Sequence, residues 1–289
     1  MRTDDAPDSG NVEDRRGMKK AGLAAGGGGI ILVIIALLTG VDLRGKLPVG
    51  GGGGGGDPEK VDPKPLAFAK KVLGMTETVW DEQFKAMGKR YEKPKMVLFS
   101  NGVDTGGCGS APSAVGPFYC PADNTLYLDP TFFDELETKL GGSKAEFSQA
   151  YVIAHEVGHH VQNLLEFSDR TNKKRGKPQE NEYSIRLELQ ADYLAGVWAH
   201  HANKKYKILE PGDADEALKS ARSIGDDRLQ KRSGFNSPEK YNHGTSKQRE
   251  KFFAEGMKTG DATLAKMNMF FDEQKMPFDG RIGELIDRR

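Results

Sequence analysis

The chain has 289 residues, enough for one sizeable core. Its 42 Lys and Arg balance its 42 Asp and Glu, and no basic stretch is interleaved with aromatics, so nucleic acid is not an expected partner. Its two cysteines, Cys108 and Cys120, are too few for a disulfide-built scaffold and lack the paired spacing of a cysteine metal site.

Residues 1–20 are polar, rich in Asp and Gly, and end in the basic cluster Arg15, Arg16, Lys19 and Lys20. That composition predicts a disordered tail. Residues 21–41 carry no charge and contain the run IILVIIALL at 30–38, which gives about the 20 residues a bilayer-crossing helix needs. Four glycines at 26–29 would weaken a buried helix in water, whereas membrane helices accept glycine more readily. No small-x-small cleavage site follows, and the preceding basic cluster fits a retained single-pass anchor with a cytoplasmic N-terminus. Everything after Val41 is then expected outside the cytosol. Residues 42–64, with seven glycines at 50–56 closed by Pro58 and Pro63, read as a flexible linker.

The folded domain is expected over 65–289. Apolar residues recur at helical spacing over 66–87 (Phe68, Val72, Met75, Val79, Trp80, Phe84), and 95–100 and 125–129 read as short strands. After Asp129 the pattern predicts helices over 148–166, 181–205, 214–229 and 246–259. The expected class is α+β: a mainly helical domain with a small β-sheet, preceded by one transmembrane helix.

The six histidines fall in three short segments. One of these holds HExxH: His155, Glu156 and His159. Residues four apart on a helix rise about 6 Å and return to nearly the same face, so both imidazoles can face one ion. Glu156, beside the first of them, suits the general base of a zinc hydrolase. Uncharged neighbours (Val152, Ile153, Ala154, Val161) fit a buried metal-bearing helix. His160 is rotated off that face, which predicts a supporting or surface position.

A catalytic zinc takes three protein ligands and keeps one position open. Gln162 and Leu165 stand where a continuing His-x-x-Gly-x-x-His pattern would need Gly and His, so a third histidine is not supplied there. The next helix offers Glu188 and Asp192, four apart, with Ala191 and Ala195 small enough to permit close helix approach. Glu188 is the expected third ligand, and Asp192 the expected acceptor for the far N–H of a ligand histidine.

These segments, together with Val72 to Trp80, GPFYCP at 116–121, Tyr127 to Asp129, AYVIAHEVGHHVQ at 150–162 and His243-Gly244, resemble the neutral zinc metallopeptidases, typically membrane-anchored bacterial proteins. The resemblance covers most of residues 65–260. It implies a zincin-like fold, Zn2+ as cofactor, and hydrolysis of a protein or peptide substrate. Residues 188–192 are similar to the helix that completes the site in gluzincins, which supports Glu188 and Asp192, and residues 243–249 resemble the His-to-Arg stretch near their metal. An oxyanion donor is therefore expected among His243, Arg249, Tyr193 and Tyr241, with His243 the first candidate for a catalytic role and a helix-capping role as its alternative. Outside the cytosol, Cys108 and Cys120 are expected to pair, and residues 125–129 are a candidate edge for an extended peptide. A non-catalytic, membrane-anchored adaptor with a structural or degenerate zinc site is the competing reading, against which the intact Glu156 speaks.

Overall fold

A computed structural model describes residues 1–18, 61–234 and 237–276, and the backbone of two short paired strands, Phe278–Asp279 and Glu284–Leu285. The expected span at 21–41 and residues 42–60 of the linker lie outside the described residues. No helix among the described residues is long and apolar enough to cross a membrane.

The first residues correct the expectation of a disordered tail. Val12–Asp14 forms strand β1, which pairs in parallel with β2 (Lys95–Leu98). The charged composition is compatible with order because the charges are locally matched: Arg15 pairs with Glu13 and Arg16 with Asp14, each at 2.7 Å. Between β1 and β2 in sequence runs helix α1 (Lys64–Ala86), whose Val72, Met75, Val79, Trp80 and Phe84 are buried in the main core at the predicted spacing.

After β2 come the hairpin strands β3 (Gly102–Asp104) and β4 (Ser110–Pro112), then β5 (Phe118–Cys120) and β6 (Thr125–Leu128). The main sheet has the order β1-β2-β6-β5, with β5 antiparallel to β6 and the other pairs parallel. Residues 125–128 therefore do not offer a free edge, since β6 is hydrogen-bonded on both sides; the edges of this sheet are β1 and β5. A Cys108–Cys120 disulfide ties β5 to the β3–β4 hairpin.

The helical half follows: α2 (Phe132–Thr138), α3 (Glu146–Leu164), α4 (Phe167–Asn172), α5 (Glu180–Tyr206), α6 (Asp213–Ser223), α7 (Asp226–Arg232), α8 (Ser246–Thr259) and α9 (Leu264–Met269). The mainly helical α+β class holds. The single helix expected over 214–229 is two, because the chain breaks at Ile224-Gly225. A Cβ at Gly225 would lie 2.2 Å from the Ser246 backbone nitrogen, so only glycine lets the two segments meet there. The long helix α5 packs between α3 and α8, which puts the sequence-distant residues 155, 188 and 249 around one point.

Candidate metal centre

Helices α3 and α5 can approach because Gly158 faces Ala191, where an added Cβ would lie 3.0 Å from the Ala191 carbonyl oxygen. Across this contact Glu188 meets both histidines: His155 Nε2 lies 3.3 Å and His159 Nε2 3.5 Å from its carboxylate. The three donor atoms lie within 4.8 Å of one another.

Each histidine is aimed from behind. His155 Nδ1 lies 2.9 Å from Asp192 Oδ1. Asp192 also accepts from Tyr151 Oη at 2.6 Å and from Arg249 Nε and Nη2 at 2.9 and 3.0 Å. His159 Nδ1 lies 2.8 Å from Gln162 Oε1, while the Gln162 amide donates to the Leu187 carbonyl at 2.6 Å and to Gln190 Oε1 at 3.0 Å. With both Nδ1 atoms engaged, both Nε2 atoms are left for the centre.

Burial and charge act together here. Burial lowers the affinity of His155 for a proton, but the Asp192 and Glu188 carboxylates outweigh it and raise its pKa to about 10. Burial raises the pKa of the Glu188 and Asp192 carboxyls, yet the histidines beside Glu188 hold it well below the usual carboxylate range, and Arg249 and His155 lower that of Asp192.

A cleft of about 440 Å³ opens onto the centre. His155, Glu156, His159, Glu188, His243 and Arg249 line its polar floor, and Val115, Phe118, Phe132, Val152, Ile224 and Leu229 its apolar wall. His243 is not a helix cap: Thr245 caps α8, in a reciprocal box with Gln248. Asp226 positions His243 instead, accepting the backbone N–H groups of Asn242, His243 and Gly244 at 2.8, 2.7 and 3.0 Å and facing His243 Nδ1 at 3.2 Å. Burial opposes protonation of His243, but the Asp226 hydrogen bond and charge prevail and raise its pKa.

Of the other oxyanion candidates, Arg249 lines the cleft with its guanidinium engaged by Asp192. Tyr241 is buried away from the cleft, and Tyr193 donates to the Asp261 carbonyl. His160, on the far face of α3, is buried between Tyr119 Oη and the Glu92 carbonyl, and burial lowers its pKa.

The family described as "Putative neutral zinc metallopeptidase" matches residues 1–270. The chain belongs to this zinc metallopeptidase family. Escherichia coli (strain K12) has a relative, "Uncharacterized protein YpfJ", 42% identical over 288 residues that cover 93% of this chain and 99% of the relative. Mycobacterium tuberculosis (strain H37Rv) has "Uncharacterized protein Rv2575", 44% identical over 194 residues, or 64% of this chain and 65% of the relative. No solved structure matches the chain. The cofactor of the zinc metallopeptidase family is Zn2+, and the donor set fits it: two imidazole Nε2 atoms and one carboxylate are the chemistry of a catalytic zinc site.

Three residues of the candidate centre escape a reading of the sequence. Tyr151 stands four before His155 and Gln162 three after His159, spacings that put them on neighbouring turns of one helix. Asp226 has no such signal, being 17 residues from His243.

Proposed function

We propose that this chain is a zinc-dependent endopeptidase that hydrolyses proteins or peptides, with His155, His159 and Glu188 as the metal ligands and Glu156 as the general base. The observation that carries the reading is the convergence of the three donors beside Glu156 at the floor of an open, largely apolar cleft. Zn2+ held there would polarise a scissile carbonyl and lower the pKa of water from about 15.7 toward 7. Glu156 takes the proton of the attacking water and passes it to the leaving amine. His243, steadied by Asp226, donates its remaining N–H to the oxygen on which negative charge builds, an interaction worth about 3–4 kcal/mol in comparable sites.

Attack within a chain rather than at its end is supported by the cations that line the cleft. Arg249, the cation suited to grip a terminal carboxylate, is already bound bidentately by Asp192. Edge strand β5, whose Phe118 and Tyr119 line the cleft, can hydrogen-bond an extended substrate. The apolar stretch at 21–41 supports attachment to a membrane, and the Cys108–Cys120 disulfide supports a domain outside the cytosol.

The test is Glu156→Gln assayed with the parent for zinc content and for cleavage of an unfolded-protein or random-peptide library. The variant is expected to keep one zinc and lose cleavage. Undiminished cleavage would remove Glu156 from the mechanism, and a zinc-loaded parent that cleaves nothing would put the adaptor reading in front.

A further inference from the structure

A single crossing by residues 21–41 would put residues 1–18 and residues from 61 onward on opposite faces of a bilayer, with about 30 Å of hydrocarbon between them. The described residues have them in one sheet. Asn11 O accepts from Met96 N at 2.9 Å, Leu98 O accepts from Arg15 N at 2.8 Å, and all three residues of β1 are in register with β2.

Helix α1 is shaped to receive the same segment. A Cβ on Gly74 would lie 2.1 Å from the Pro7 carbonyl oxygen, so the glycine is what lets the chain lie against the helix. One turn on, Glu77 is 6% exposed and accepts from Ser9 Oγ at 2.6 Å and Asn11 Nδ2 at 2.7 Å. Lys71 Nζ donates to the Ala6 carbonyl at 2.7 Å. Without residues 1–18, a buried carboxylate would lose two of its donors and β2 would present an open edge, both of them costly. Arg15 and Arg16, which as a bare cluster suggest a cytoplasmic N-terminus, are engaged with Glu13 and Asp14 in this packed segment, and the Arg16 side chain is only 8% exposed. Their presence is accounted for without a role in topology.

We propose that residues 1–18 and the metal-bearing domain lie on the same side of any membrane the chain meets, so that the chain is not a single-pass protein. A bilayer is then met from one face, as a monotopic protein meets it. The proposal is independent of the catalytic reading.

The experiment uses two single-cysteine variants of the full-length chain in bacterial spheroplasts: Asp8→Cys, at a side chain 63% exposed in the N-terminal segment, and Asp81→Cys, exposed on α1. The native cysteines are silent because they are bonded to each other. Each variant is treated with a membrane-impermeant maleimide before and after permeabilisation. The same response at both positions is expected, and opposite responses would overturn the proposal. Asp4→Cys, also exposed, repeats the reading one turn of chain away from the Lys71 contact. Gly74→Leu supplies an independent check: it removes the space for Pro7 and is expected to lower the thermal unfolding temperature, whereas unchanged stability would reject the packing on which the proposal stands.

Discussion

The two histidines of the candidate metal centre are supported by different chemistry. Behind His155 stands an ionic cluster in which one buried carboxylate, Asp192, serves the imidazole, the Tyr151 hydroxyl and the Arg249 guanidinium. Behind His159 stand only amides: Gln162, Gln190 and the carbonyls of Leu187 and Met267. Both supports fix a ring and leave Nε2 facing Glu188, but only the first puts a charge behind its ring, and that charge raises the pKa of His155. The comparison separates aiming a ligand, which a neutral network can do, from tuning its basicity, which takes charge.

The strongest way to break the comparison is to remove its charged half. Asp192→Ala leaves Arg249 buried without its anion, and such an orphaned charge costs about 3–5 kcal/mol. Denaturant unfolding of the zinc-free protein is expected to show a loss of that size, and zinc affinity is expected to fall about 10–100-fold. A loss below about 1 kcal/mol would mean that Arg249 finds water or another partner and that the cluster is not the closed unit described.

The charged half also makes a pH prediction. In the zinc-free protein the pKa of His155 is raised from about 6.5 to about 10. The ion pair therefore contributes stability that is complete below about pH 6.5 and is lost as pH rises through about 10. Zinc needs the unprotonated Nε2, so its binding must displace this proton. Between about pH 7 and about pH 9 the apparent zinc affinity should rise about tenfold per unit, or about 1.4 kcal/mol. Competition against a chromophoric chelator measures the slope. In Asp192→Asn, where the amide aims the ring without charging it, the slope should flatten; an unchanged slope would assign the raised pKa to Glu188 instead.

The same contrast governs what the sequence reveals. His155, Glu156, His159, Glu188 and Asp192 are legible because helical spacing puts each set on one face, and metal chemistry demands those residue types. Gln162 is passed over because a lone glutamine after HExxH has many ordinary uses, and only the fold shows its carbonyl oxygen against His159. Asp226 is less accessible still, since its link to His243 depends on the break at Gly225 that turns α7 toward α8. The long amphipathic helices are legible for the reason the site is. Strand β1 is not: it is only three residues long, two of them are the charged Glu13 and Asp14, and it shows no pattern until β2 and α1 supply partners for its backbone and neighbours.

The smallest effect is expected on the neutral side, and it is the one that tests whether aiming alone matters. Gln162→Leu keeps the bulk of the side chain but removes the acceptor for His159 Nδ1 and the donor to the Leu187 carbonyl. Buried polar groups left without partners cost about 1–3 kcal/mol, so the zinc-free protein should lose stability within that range. Zinc affinity should fall about tenfold, at the lower end for residues that orient a ligand, because the ring can turn or change tautomer. The pH slope of zinc binding should stay that of the parent, since Asp192 and His155 are intact. That combination, weaker binding on an unchanged slope, distinguishes a residue that aims a ligand from one that charges it; a flattened slope in Gln162→Leu would show that the two halves act as one network.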